Sequence, residues 1–402
     1  MRNPPGSSRA RTALASIAAC LVVLFSLAAF GSSDVRVGDR FSFVLTGARV
    51  IAAPGRVFER GVVVVRGGVI GAVGAEGSVA IPPDARVFDL KGKVVHAAYV
   101  DPYVPVDRLA GKKPRGPSDE EEPSDERTPA SRRTRGPADH PIPTVRADER
   151  ALDSLTVADR VSDAYRRLGY AVVAAVPQTG ILRGRGAVVS LADGPLSGRV
   201  LVADGAQTIS LDPGAFDFAG FGRAVYPVSK MGAVALVRQS FLDAKWWGDA
   251  EAAYAHRPTG QARPRLVSAN AALLPAAQGR ETVVFESTGV LSLLRAFKIA
   301  REMKLKALYV GAGDEYRLRD LVAAEKPDLV LRVDFPQPDK LDDEVEWLDV
   351  PVERLRAIDR APSNPKWMRE AGIFFSLTTA GLDDPDDFPR RVRQALARGL
   401  SR

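Results

Sequence analysis

The sequence holds three histidines, His96, His140 and His256, and a single cysteine, Cys20. No two of the histidines share an i, i+2 or i, i+4 spacing, so no short motif offers paired imidazoles to a metal ion. There is no G-x-S-x-G elbow and no phosphate-binding P-loop. Three other stretches carry residue types that do chemistry. ILRGRGA at 181–187 places Arg183 and Arg185 in a glycine-rich segment, where they would meet an anionic ligand. GAGDEY at 311–316 lies at a strand-to-helix junction; it is read either as a phosphate site at a helix start or as a tight βα turn. RQSFLDAKWW puts Arg238, Gln239 and Asp243 on one helix with Trp246 and Trp247, two packing residues or a stacking shelf.

These residues need a scaffold to hold them. Residues 43–74 form short β-rich runs broken by Pro-Gly, Arg-Gly and Gly-Gly turns, and VVVV, VIGAV and ARVFDL read as strands of a small sandwich over 40–93. The Gly67-Gly68 pair signals a hairpin. From residue 94 to 402 the pattern changes to strand and helix alternating every 20–30 residues, the signature of a parallel sheet with right-handed crossovers. The expected strands are AVVAAVP, TVVFES, ALYVGAG, DLVLRVDF and GIFFSLTTAG. The expected helices cover 228–247 and 352–371, with another in VLSLLRAFKIAREMKL whose inward residues are Leu291, Leu294, Phe297 and Ala300. Residues 107–150 are nearly all charge, Pro, Ser and Gly, and read as a flexible exposed loop or a docking segment.

Arg2, Arg9 and Arg11 precede an apolar run at 12–30, so residues 1–31 read as an export signal or a membrane anchor. The protein is thus expected to be periplasmic or extracellular, or anchored facing outward. With Cys20 in that segment, the rest of the chain has no disulfide and no thiolate chemistry. The net charge of +7 is modest and spread along the chain, which argues against a nucleic-acid partner.

Taken in order, FVLTGARVIAAPGRVFERGVVVVRGGVIGAVG, ARVFDLKGKVV and YVDPY resemble the entry to the amidohydrolase superfamily, most of all its exported, imidazolonepropionase-like hydrolases. YRRLGYAVVAAVPQTGILRGRGAVVSL, MGAVALVRQSFLDAKWW and SLTTAGL continue the likeness across residues 43–400. The resemblance implies an α/β fold, a TIM-like (β/α)8 barrel with a small composite β-sandwich. It also implies one or two divalent metals, often zinc, that activate water at the strand ends. The His-x-His of that pattern falls here on Tyr103 and Pro105. The histidines of two later strands fall on Glu286 and on Val310 or Gly311, and the final Asp falls on Ala380. Asp101 stands beside the first pair as a further carboxylate.

The resulting expectation is an exported, amidohydrolase-like barrel that binds or scaffolds without metal-dependent hydrolysis, and so needs no cofactor. One alternative is a hydrolase of C–N bonds with an altered site of Asp101, Tyr103 and Glu286, using zinc or another divalent metal. Another is an interaction protein. The chain stops at RGLSR, before the segment that completes the sandwich in such proteins. An open sheet edge would then recruit a second amidohydrolase domain or another copy of the chain.

Overall fold

The computed structural model describes residues 42–112, 138–212, 226–338 and 349–401. The apolar run at 12–30 and the centre of the charged stretch, 113–137, lie outside the described residues. No described helix is long and apolar enough to cross a membrane. The chain divides into two compact units, with the boundary between Ala97 and Ala98.

The first unit is a five-stranded sheet of β1 (Ser42–Ala53), β2 (Arg56–Arg66), β3 (Val69–Ala75), β4 (Arg86–Asp89) and β5 (Val94–His96). Its order is β3-β2-β1-β4, with β5 also pairing with β1. Gly67 and Gly68 make the two-residue turn between β2 and β3, with φ of 55° and 75°. Such left-handed backbone suits glycine and matches the twist of a hairpin. β1 is long enough to serve two partners. Phe43–Thr46 run parallel to β4, and Arg49–Ile51 run parallel to β5. The change of partner falls at Gly47, where a Cβ would come within 2.8 Å of Asp89 Oδ1. The VVVV run is buried on both sheet faces: Val63 and Val65 pack with Ala48 and Val50, while Val62 and Val64 pack with Val44. His96 therefore belongs to this sheet, opposite Ile51.

The second unit is mixed α/β. A four-stranded sheet of β6 (Tyr99–Pro105), β7 (Tyr170–Val176), β9 (Ala187–Ser190) and β10 (Val200–Val202) has the order β10-β9-β7-β6. A six-stranded sheet contains β8 (Leu182–Arg185), β11 (Gln207–Ser210), β12 (Thr282–Glu286), β13 (Lys306–Val310), β14 (Leu329–Arg332) and β15 (Phe375–Thr378). Its order is β15-β14-β13-β12-β11-β8, and β11 to β15 are all parallel. β8 and β9 are antiparallel to their neighbours β11 and β7. One residue, Gly186, separates them, too little chain for a crossover helix. This is a mixed α/β architecture of the kind a barrel-plus-sandwich protein has, with an antiparallel interruption that strict alternation did not anticipate.

Ten helices among the described residues complete the unit: α1 (Val106–Leu109), α2 (Asp159–Arg167), α3 (Leu196–Arg199), α4 (Lys230–His256), α5 (Ser268–Ala277), α6 (Val290–Met303), α7 (Arg319–Glu325), α8 (Val352–Arg360), α9 (Asn364–Glu370) and α10 (Phe388–Ala397). α4, α5 and α6 cover the six-stranded sheet through Phe241, Leu273, Leu293 and Phe285. α6 starts at Val290 and buries Phe297 and Ala300 as expected, but in its first turn Val290 and Leu293 are the buried residues and Leu291 is 58% exposed. The helix expected over 352–371 is two helices, broken where Pro362 and Pro365 cannot continue the backbone bonding. The ends of the charged 107–150 stretch are also packed rather than loose. Leu109 at one end and Val145 and Ala147 at the other are buried, because these few apolar side chains find core positions.

Candidate functional site

Strand alternation sends every second residue to one face. On that face Tyr103 of β6, Val176 of β7, Val284 of β12, Val310 of β13, Val330 of β14 and Ala380 after β15 form a single apolar cluster drawn from both sheets. Two residues beyond Val284 is Glu286, and two beyond Val330 is Arg332, each the last residue of its strand. Arg332 donates to Glu286 Oε1 at 2.5 Å, and Arg183 donates to Glu286 Oε2. The three side chains are only 12, 17 and 11% exposed in the order Glu286, Arg332, Arg183. Arg183 also donates to Gly180 O at 3.2 Å, and Gln178 Nε2 donates to the Tyr103 hydroxyl at 3.3 Å.

Burial resists ionisation of Glu286, but the guanidiniums of Arg183 and Arg332 outweigh it and hold its carboxyl below the usual range. Burial, then the negative charge of Glu286, pushes the Tyr103 phenol far above its ordinary value. Glu286 is accordingly a carboxylate with both oxygens occupied. A general base works best with a pKa near the working pH, and the two guanidiniums move Glu286 away from it.

Asp101 is fully buried on β6. Its Oδ1 accepts from Tyr103 N at 3.2 Å and from the Thr378 hydroxyl at 2.7 Å. Its Oδ2 accepts from Thr379 N at 3.0 Å and from the Thr379 hydroxyl at 2.7 Å. The Tyr165 hydroxyl shares a 2.7 Å hydrogen bond with Thr379. Burial raises the Asp101 pKa, and the Thr378 and Thr379 donors pull it part of the way back. Asp101 thus joins the first strand of the unit to the last.

The residues present do not fit a divalent metal. Asp101 and Glu286 are separately engaged, and an ion bound to Glu286 would lie against two positive guanidiniums. Among the described residues no group of three His, Cys, Asp or Glu side chains converges. His96 lies in the first unit, and His256 ends α4. His140 lines a cavity of about 420 Å³ with Asp139, Asp243, Arg265 and Asn270, away from the strand ends. Its Nδ1 accepts from Ile142 N at 3.1 Å.

The other sequence candidates separate in space. Arg183 and Arg185 lie on β8, not in a loop, and serve opposite ends of β12. Arg183 meets Glu286 at the last residue, whereas Arg185 bonds both oxygens of Glu281, just before the first, at 3.0 Å. GAGDEY is a turn closed by its own side chain. Glu315, fully buried, accepts from Ala312 N at 2.7 Å, Gly313 N at 3.1 Å and Asn364 Nδ2 at 2.6 Å. Its carboxylate fills the place that a phosphate would take, and a Cβ on Gly311 would come within 2.2 Å of it. Arg238 pairs with Glu302 and Gln239 with Asp243, both at 2.6 Å. Trp246 is 67% exposed rather than packed. Of the residues assigned by resemblance, Tyr103, Val310, Ala380 and Glu286 gather at the shared face, with Gly311, the alternative to Val310, directly after β13 and Pro105 at the end of β6.

Sequence reading missed Arg332, Asp334, Gln178, Thr378 and Thr379. The one available signal was period two: in LVLRVD, Val330, Arg332 and Asp334 share a face, and two charges there need partners.

No family model matches the sequence, and no curated protein matches it. Solved structures do. An amidohydrolase from Thermotoga maritima MSB8 superposes with a TM-score of 0.65 at 16% identity, over 89% of this chain and 84% of that one. A prolidase described from Bifidobacterium longum gives 0.43 at 12% identity, over 90% and 79%. A molinate hydrolase gives 0.40 at 13%, over 90% and 82%. The chain has the amidohydrolase-superfamily fold.

Proposed function

We propose that this protein is an amidohydrolase-fold binding or scaffold protein that does not hydrolyse by the metal-activated water of its fold relatives. In this reading its two sheets close into a barrel, and the first unit is the small sandwich. The observation that carries it is the Arg183–Glu286–Arg332 group, which puts two fixed positive charges where a metal reading needs donors. A guanidinium has no lone pair to give and stays protonated, so the group repels a cation. Metal analysis of purified protein tests this: stoichiometric, tightly held zinc or manganese overturns it, and substoichiometric, chelator-stripped traces support it.

A second reading is that the first unit's sheet edge recruits a partner, another copy or a complete relative. It is favoured by β3, an edge strand whose Val69 and Ile70 are 68% and 63% exposed. Light scattering over a concentration series tests it, and a monomer at every concentration that also captures no relative removes it.

A further inference from the structure

The charges around Glu286 continue along the strand ends to a second group. Asp334 shares the face of Arg332, and Gly381 packs against it so closely that a Cβ there would lie 2.0 Å from Asp334 Oδ2. Arg108 of α1 donates to Leu382 O, next to Gly381. Arg391 of α10 donates to Phe335 O at 3.4 Å, next to Asp334. Four elements therefore converge on one carboxylate: α1, the end of β14, the turn after β15, and α10. Arg108 and Arg391 are 6% and 7% exposed, and the Nε atoms of Arg108, Arg332 and Arg391 are buried without a hydrogen-bond partner.

Along this line four guanidiniums, Arg183, Arg332, Arg108 and Arg391, face two partly buried carboxylates, Glu286 and Asp334. Asp383 and Asp387 lie near Arg391, but Asp383 is solvent-exposed and Asp387 is paired with Arg390 at 2.8 Å. A buried positive surplus with unsatisfied N–H groups is costly unless an anion joins it. Burial keeps the Asp334 carboxyl above its usual range despite Arg332, Arg391 and Arg108, so it is a weak counter-ion for three neighbours. Planar guanidinium forks match carboxylate and phosphate oxygens, and the C-terminal ends of parallel strands are where such folds take ligands.

We propose that the Arg332, Arg108 and Arg391 group around Asp334 is a binding site for an oxyanion, a carboxylate or phosphate carried by a small molecule. This rests on the binding role proposed above and names its ligand class.

The test is calorimetric titration of the full chain with acetate, succinate and inorganic phosphate in turn, at ionic strength held constant with chloride. Saturable binding of at least one is expected, and which one identifies the headgroup. Arg391→Gln should weaken it about tenfold. Asp334→Asn should tighten it several-fold, because it removes the competing negative charge while keeping the side-chain shape. If Arg391→Gln does not fold, Asp334→Asn alone decides. Effects no larger than those of chloride, or unchanged or weaker binding in Asp334→Asn, overturn the proposal. An anion-free result on metal-free protein removes this site and leaves the binding role standing, whereas tightly held zinc removes that role itself.

Discussion

The seam between β6 and β15 and the strand ends around Glu286 each bury a carboxylate, and they hold it in opposite ways. Asp101 is surrounded by neutral donors, two hydroxyls and two backbone amides, and its pKa is raised. Glu286 is clasped by two guanidiniums, and its pKa is lowered. Burial acts on both. Neutral dipoles only part-compensate the lost hydration of Asp101, while full positive charges over-compensate that of Glu286. The lesson is that depth alone does not set a buried acid's behaviour; the formal charge of its partners does. Asp101 is a structural joint, and Glu286 is a fixed counter-ion for arginines.

The largest expected effect breaks the charged member. Glu286→Gln strands two mostly buried guanidiniums and should cost about 3–5 kcal/mol of unfolding free energy in denaturant titration. A loss below 1 kcal/mol would mean that the guanidiniums find water or other partners. Asp101→Asn comes next, at about 1–3 kcal/mol, because an amide NH₂ must then face the backbone N–H of Tyr103 or Thr379. An unchanged midpoint would show that the four donors do not need a carboxylate.

Acidification sharpens the contrast. Glu286, lowered from the usual 4.5, contributes stability that is present above 4.5 and lost as pH falls through its folded value. Asp101, raised from the usual 3.8, contributes stability that is present below 3.8 and lost as pH rises through its folded value. Melting temperature measured from pH 7 to pH 3 should therefore fall less steeply in Glu286→Gln than in the parent, and more steeply in Asp101→Asn. Parallel curves for the two variants would end the comparison. The smallest effect is expected at the other end of β8, where Arg185 and Glu281 are more exposed, 20 and 31%. There Glu281→Gln should cost no more than about 1 kcal/mol. A cost matching that of Glu286→Gln would make ion-pair position irrelevant.

Much of the scaffold was legible because local rules suffice for it. The Gly67-Gly68 hairpin follows from backbone freedom, the VVVV strand from continuous apolarity, and β12 to β15 from apolar runs between helices. Tyr103, Glu286, Val310 and Ala380 were singled out by the resemblance to the superfamily's ligand pattern, not by any local rule. Other features escaped for identifiable reasons. Asp101 looked like a mouth residue, yet its partners Thr378 and Thr379 lie 277 and 278 residues away. Glu315 filled its own loop, which no motif spacing distinguishes from an empty one.

By itself the sequence determined the change from β-rich to alternating segments and the scarcity of histidine, since composition and period are properties of the chain and survive any folding. Tertiary structure alone decided that Arg183 and Arg185 part company, that Arg332 reaches Glu286, and that Asp101 accepts from Thr378, Thr379 and the Tyr103 amide. Partnership between residues far apart in the chain depends on register and distance, and a charge's behaviour depends on those partners.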